Sequence, residues 1–295
     1  MAYEHIKHDL RNNADLPAKE RIKICRHDIW IDTPRYAPLF ESLRNMLYTD
    51  NQIQSASIFI HGDGGDGKTA LFNRLKALGE LEGKRFVFIT LTENVNRFKL
   101  HDALCDVFDV PIGKRGTAVN RVKLIIQKIK ALGIGAIVVD ELSDCMLEAY
   151  SHKKSILSLL RGLAEGDGKL CVIAFGNSVA SEIISLDRII DRRFVPWHLK
   201  PWKLDQDFVD FIATYETYLP LKLPSNLASP KLRTLIHVNS HGILDNIVKI
   251  IKSTAMDAIK HGTEQITPSQ FQNLEPMTRL YGYKLHHPKD KEVSE

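Results

Sequence analysis

No apolar run in this 295-residue chain approaches the roughly 20 residues that a membrane-spanning helix needs. The opening stretch, MAYEHIKHDLRNNADLPAKE, is polar throughout and lacks the apolar segment of a secretory leader. Both absences lead to the expectation of a cytoplasmic protein, or a nuclear one if the source is eukaryotic. Cysteine is scarce. Cys25, Cys105, Cys145 and Cys171 show no C-x-x-C spacing and no accompanying histidine cluster. That pattern excludes a disulfide scaffold and argues against zinc. It suits buried small hydrophobes in a reducing compartment. Internal repeats and low-complexity segments are absent too. Charge is nearly balanced: 40 Lys and Arg against 36 Asp and Glu give a formal net charge of +4. A polyanionic partner is permitted by that total but not demanded. Hydrophobic residues make up 44% and charged residues 26%, an ordinary globular composition. A chain of this length buries a core without disulfides or structural metals.

What is present is an alternation of short apolar runs with helical patterns. Strands are expected at ASIFIH (56–61), RFVFITL (85–91), GAIVVDE (135–141), KLCVIAFG (169–176) and FVPWHL (194–199). Helices are expected at 68–79, around 98–108 and through AVNRVKLIIQKIKAL. Apolar runs without alternation mean strands buried on both faces, hence a parallel sheet covered by helices, an α/β fold. An amphipathic helix after Pro34 turns Leu39, Phe40, Leu43, Met46 and Leu47 inward. Beyond Trp202 the pattern becomes helical only, at 205–218, 229–239, 243–260 and 268–274.

The segment HGDGGDGKTAL, His61 to Leu71, places four glycines within six positions and then a lysine and a threonine. It fits G-x-x-x-x-G-K-[ST] through Gly62, Gly67, Lys68 and Thr69, between a buried strand and a helix. A phosphate needs several backbone N–H groups aimed at one point, at a helix N-terminus whose dipole favours anions. The expected cradle is Gly62, Asp63, Gly64, Gly65, Asp66, Gly67, Lys68, Thr69 and Ala70. Lys68 reaches the β- and γ-phosphates of ATP, and the Thr69 hydroxyl ligates Mg²⁺. The competing reading is a glycine-rich turn that binds nothing. Asp63 and Asp66 are out of place in an anion cradle. They are expected to point to solvent while their N–H groups point inward.

AIVVDE ends a buried strand on two carboxylates. Asp140 is placed to bind Mg²⁺, and Glu141 to polarise the attacking water as general base. The competing reading is a strand end that happens to carry two acids. The phosphate-loop strand and the acid strand have another strand between them in sequence. That order belongs to P-loop ATPases with an added central strand.

With these pieces the chain resembles an AAA+ ATPase. More narrowly it resembles the TniB/TnsC family of ATP-dependent target-selection proteins of DNA transposons, to which MuB is functionally similar. The resemblance covers roughly residues 20–275. It rests on RHDIWIDTPR, GDGGDGKT, IVVDELSD, VIAFGNSVA, DRRFVPWHLKPW, LPLKLPSNL and SHGILDNIVKIIKSTAMDAIKHG. It implies a five-stranded parallel sheet sandwiched by helices, with a C-terminal helical lid. The implied division is an N-terminal arm at 1–30, a nucleotide-binding domain at 31–202, a lid at 203–278 and a disordered tail at 279–295.

The resemblance also implies roles. Asn177 occupies the sensor-1 position, where a polar side chain feels the γ-phosphate. Arg193 of DRRF matches an arginine finger that completes the neighbouring protomer's site, with Arg192 as competitor and a structural salt bridge as the alternative. Many AAA+ lids carry an arginine three residues after the lid glycine. Here, after Gly242, that residue is Asp245. DNA-facing positions of the family match Lys99 and Thr117, with Lys114, Arg115 and Arg121 as helpers. Arg97 to Lys130 holds eight Lys or Arg against three Asp, although most basic runs are solvated helix faces.

The implied function is an ATPase that binds the backbone of double-stranded DNA, forms a homo-oligomeric filament, and engages an integrase-like transposase and a TniQ-type selector. Alternatives are a replication initiator or loader subunit, and a nucleotide-gated scaffold with negligible turnover. Trp197 and Trp202 are read as core or interdomain packing, and Trp30 as adenine-pocket lining or core. The histidines show no ligand spacing.

Overall fold

The computed structural model describes residues 3–48, 55–91, 100–111, 118–143, 159–160, 162–164, 170–186 and 191–287. The chain forms two units. One comprises Ala37–Asp63 and Lys68–Leu199; the other comprises Met1–Tyr36, Gly64–Gly67 and Lys200–Glu295.

The first unit is built on a sheet. Its strands are β1 (Ser57–His61), β2 (Glu80–Leu81), β3 (Lys84–Thr90), β4 (Ile134–Asp140), β5 (Cys171–Gly176) and β6 (Phe194–His198). The order is β2-β3-β4-β5-β1-β6, and β1, β3, β4, β5 and β6 pair in parallel. The five expected strands are therefore present, and among the described residues the sheet has a sixth. β2 pairs antiparallel with β3, Leu81 opposite Lys84, across a two-residue turn. Glu82 and Gly83 both have positive φ, +51° and +69°, as the tight hairpin turn that matches strand twist requires.

The central strands are apolar because both their faces are covered. Ile58, Ile60, Ala136, Ile137, Val138, Val139 and all of β5 are buried. Among the described residues the helices of this unit are α2 (Ala37–Leu47), α3 (Lys68–Leu78), α4 (Leu100–Val107), α5 (Ala118–Leu132) and α6 (Ser178–Leu186). α2 buries Leu39, Leu43, Met46 and Leu47, a three-to-four-residue spacing that makes one apolar stripe. Leu100, Leu104, Ile125 and Ile129 bring α4 and α5 into one core with Phe59, Ile137, Val139 and Val172.

The second unit is helical: α1 (Ala18–Cys25), α7 (Gln206–Glu216), α8 (Pro230–Ser240), α9 (Leu244–His261) and α10 (Leu274–Leu280), with 3-10 turns at His8–Asp15, Pro34–Tyr36 and Pro268–Asn273. α9 is its axis, burying Ile247, Ile250, Ile251, Ala255, Met256, Ala258 and Ile259. The N-terminal segment is tied into this unit by buried charge. Arg21 grips Glu264 through two hydrogen bonds of 2.6 and 2.7 Å, which hold that carboxyl below its ordinary pKa. The buried Lys252 donates to the Arg26 carbonyl at 3.0 Å and to Asp28 at 2.6 Å. Trp202 is buried against Phe208 and Phe211, with the Arg35 guanidinium 4.7 Å above its ring. That is the core role read from sequence.

Candidate nucleotide site

Parallel pairing brings three chain segments to one edge of the sheet. His61 pairs with Gly176, and Val139 with Ala174, so β1, β5 and β4 end nearly level. Past these ends come Gly62, Asn177 and Glu141. β5 lies between the other two, so the acid pair stands about 10 Å across the sheet from the start of the phosphate loop. Sheets of this kind bind ligands at the carboxyl ends of their strands.

The phosphate loop runs from the end of β1 to α3, which begins at Lys68. Lys68, Thr69 and Ala70 therefore form the first turn of a helix, where free N–H groups and the dipole favour an anion. The Lys68 ammonium donates to the carbonyls of Gly62 at 2.7 Å and Asp63 at 2.8 Å, curling over the strand end. Gly65 and Gly67 have φ of +89° and +100°, conformations that L side chains rarely adopt. A Cβ at Gly65 would stand 2.8 Å from Ile243 Cγ2, and one at Gly67 would stand 2.7 Å from Leu244 Cδ2. The glycines are required both by the turn and by this close packing.

The two aspartates behave differently. Asp63 is exposed, and its Oδ1 accepts a hydrogen bond from the Ser178 hydroxyl at 3.1 Å. Asp66 is buried, against the expectation that it points to solvent. The reason is the turn at Gly67, which folds the Gly64–Gly67 stretch against Tyr36 and the start of α9. Asp66 lies near enough to Tyr36 to disfavour its ionisation; burial first, and Asp66 in addition, raise the Tyr36 pKa. Trp30 packs on Tyr36 with ring centroids 5.3 Å apart, and its indole N–H donates to Asp32 at 2.7 Å.

Asp140 ends β4 and is buried. Burial raises its pKa; the Glu141 backbone N–H, which donates to Oδ1 at 2.9 Å, and the Lys68 charge oppose that rise. Glu141 has φ +55°, a left-handed conformation costing a non-glycine residue about 1–2 kcal/mol. Glu82 in the β2–β3 turn and Glu264 on Arg21 share this left-handed conformation, so the strain alone assigns Glu141 no role. The donor set fits a hard dication. Asp140 is a carboxylate made reluctant to ionise by burial, and Thr69 offers a hydroxyl. Among the described residues no group of three or more His, Cys, Asp or Glu is placed to hold a metal ion. Mg²⁺ needs no such cage, because it binds through one or two protein oxygens plus substrate phosphates and water.

Asn177 directly follows β5. Its Oδ1 accepts from the Ala180 N–H at 2.9 Å, so it caps α6 and keeps its amide Nδ2 for another acceptor. Arg192 is exposed and Arg193 half-buried; the Arg193 carbonyl accepts from the Ser57 N–H at 3.0 Å. Both arginines stand at the opposite end of β1 and β6 from the phosphate loop, about 15 Å away along the strands. They are not brought together with Lys68 and the acid pair in one chain. Arg121, in α5, is half-buried beside Cys105 of α4. Lys99, Lys114, Arg115 and Thr117 lie outside the described residues.

Two features escaped the sequence reading. Ser143 accepts from the Asn177 N–H at 2.6 Å. His61 and His198, in register at the ends of β1 and β6, stack with centroids 4.8 Å apart and planes 7° from parallel. The only signal for the histidine pair was its position at two strand ends. For Ser143 the sequence offered none.

A family model described as bacterial TniB protein matches residues 21–204, more than half of the chain. The chain belongs to the TniB family. The match spans the phosphate loop, the acid pair, Asn177 and Arg193 of this TniB protein. No curated protein matches the sequence. The fold of the TniB chain is that of AAA+ proteins of the Orc1/Cdc6 kind. It is similar to the Aeropyrum pernix Orc1 protein in complex with DNA: TM-score 0.52, 14% identity, 88% of this chain and 69% of that one covered. It is also similar to Drosophila ORC bound to DNA, with TM-score 0.56, 14% identity and coverage of 91% and 66%. Cdc6p from Pyrobaculum aerophilum gives TM-score 0.56, 15% identity and coverage of 88% and 70%. No helix among the described residues is long and apolar enough to cross a membrane.

Proposed function

We propose that this TniB-family protein is a cytoplasmic ATPase that assembles on target DNA in an ATP-dependent way and presents it to a transposase. The observation that carries this reading is the convergence of the Gly62–Thr69 loop, Asp140–Glu141 and Asn177 on one edge of a parallel sheet, in a TniB chain. Lys68 neutralises β- and γ-phosphate charge, and the loop N–H groups orient the triphosphate. Thr69 and Asp140 would hold Mg²⁺, which supplies further neutralisation of the transferring phosphoryl group when bound. Glu141 accepts the proton of the attacking water, and Asn177 donates to a γ-phosphate oxygen.

Arg193 stands at the far end of the strands, which supports a role in the neighbouring protomer's site. ATP is then shared between copies, and its presence favours assembly by mass action. Assembly in turn governs DNA binding. A protomer neutralising ~2 phosphates, through groups such as Lys99, Lys114, Arg115, Thr117 and Arg121, has a salt slope of about −1.8 and a non-specific Kd no tighter than about 10⁻⁴ M. Many copies on one duplex multiply that weak contact into stable binding. Backbone contact carries no sequence information, so target choice falls to a TniQ-type selector or to DNA shape.

Electron microscopy of the protein with duplex DNA and a non-hydrolysable ATP analogue tests this reading. Helical filaments are expected, and Glu141→Gln should trap them with ATP itself. Small closed rings would favour a loader. Glu141→Gln indistinguishable from a wild type of near-zero turnover would favour a scaffold.

A further inference from the structure

We propose that Ser143 is a positioning residue for ATP hydrolysis, fixing the acid pair of β4 relative to Asn177; this rests on the ATPase reading above. Ser143 follows Glu141 by two residues, and its side chain is buried. A buried hydroxyl is unfavourable unless it is hydrogen-bonded, so an alanine would serve better if the position were only packing. Its Oγ accepts from the Asn177 backbone N–H at 2.6 Å. The contact spans the gap between the ends of β4 and β5, the two strand ends that carry Glu141 and Asn177.

The surroundings are shaped for this bond. A Cβ on Gly176 would stand 2.6 Å from Phe59 Cζ and 2.9 Å from Ser143 Oγ, so any larger residue there would displace the serine. Asn177 in turn caps α6 through Ala180. Its neighbour Ser178 donates to Asp63 in the phosphate loop at 3.1 Å. The acid-pair turn, the β5–α6 junction and the phosphate loop thus share one run of hydrogen bonds. Glu141 sits in this run with its φ of +55°. Its turn is tethered on one side by its own N–H on Asp140 and on the other by Ser143 on Asn177. Without the serine oxygen, the Asn177 N–H loses its acceptor and the turn loses its tether to the end of β5. Glu141 and Asn177 then no longer keep a fixed spacing, while the Ser178–Asp63 bond to the phosphate loop does not depend on the serine oxygen. The consequence falls on turnover rather than on nucleotide affinity.

The test uses the full chain as wild type, Ser143→Ala, the nearly isosteric Ser143→Cys with its weaker acceptor, and Glu141→Gln. Three quantities are measured: amide hydrogen exchange of peptides spanning Gly176–Ser178 without nucleotide, Kd for a fluorescent ATP analogue, and kcat with duplex DNA. For Ser143→Ala, exchange should quicken by about tenfold or more, kcat should fall about tenfold or more, and Kd should stay within about threefold. Ser143→Cys should fall between alanine and wild type in both exchange and kcat. Unchanged exchange, a kcat within about twofold of wild type, or a Kd that rises in step with the loss of kcat overturns the proposal. A wild type that hydrolyses ATP no faster than Glu141→Gln is a different outcome. It removes the ATPase reading itself, and the wild-type control tells the two failures apart.

Discussion

The backbone N–H of Asp245 donates to the carbonyl oxygen of Gly65 at 3.0 Å. The N-cap residue of α9, Ile243, makes no side-chain cap, so the phosphate loop itself satisfies a free donor of the helix's first turn. The Asp245 carboxylate, where many AAA+ lids carry an arginine, pairs with Lys249 at 2.5 Å and with His286 at 3.3 Å. Lys249 lies one turn along the helix from its aspartate partner and also donates to the Lys284 carbonyl at 3.1 Å.

Gly65→Ala should lower stability by about 1–3 kcal/mol, through left-handed strain and overpacking together. The added Cβ would meet Ile243 Cγ2 at 2.8 Å and Asp245 Cβ at 3.1 Å, at a φ of +89°. In an Ile243→Ala background the added cost of Gly65→Ala should shrink, because the contact is gone, but the share due to φ should remain. A Gly65→Ala protein that melts with wild type would contradict this packing.

His61 should make the protein acid-sensitive. Burial first, then His198 and Lys68, lower its pKa from 6.5, while Asp63 works the other way. A lowered histidine pKa means that the folded state prefers the neutral ring. Its contribution is full above pH 6.5 and is lost as pH falls from there through the lowered folded value, because the unfolded chain takes up the proton first. Chemical denaturation of wild type and His61→Phe between pH 8 and 5 should show a smaller loss of stability in the variant. Parallel curves would remove the histidine pair from the cause.

Arg193 should act on the neighbouring copy. Arg193→Ala should lower kcat by about 10³-fold or more, and Arg193→Lys should not restore it, since a compact ammonium lacks the planar fork. Mixing Arg193→Ala with Lys68→Ala protomers should recover activity, because the first keeps an intact loop and the second an intact arginine. No recovery on mixing would place the residue's effect within its own chain. The same measurement on Arg192→Ala decides between the two arginines.

Much of the sheet was legible because its signals are local. The central strands β1, β4 and β5 announce themselves as buried apolar runs, while β3 and the edge strand β6, with several exposed positions, were still legible as short apolar stretches. A phosphate loop demands glycines, a lysine and a hydroxyl residue at fixed spacing. β2 was not legible, since two residues carry no periodicity, although Glu82–Gly83 ahead of a strand was a usable turn signal. Asp66 was misjudged because its loop, at Gly65 and Gly67, packs against Tyr36 and the start of α9, elements remote in sequence. Ser143 was invisible for the same reason. Its partner is an N–H 34 residues away, brought near only by the pairing of β4 with β5. The histidine pair likewise exists only through the β1–β6 register.

The most direct measurement is duplex-DNA affinity with and without ATP, for wild type and for Lys68→Ala. Wild type should bind at least about tenfold more tightly with ATP and Mg²⁺ than without, whereas Lys68→Ala, unable to hold the triphosphate, should bind weakly in both conditions. Equal DNA affinity for the two proteins in the presence of ATP would contradict nucleotide-gated assembly at this loop.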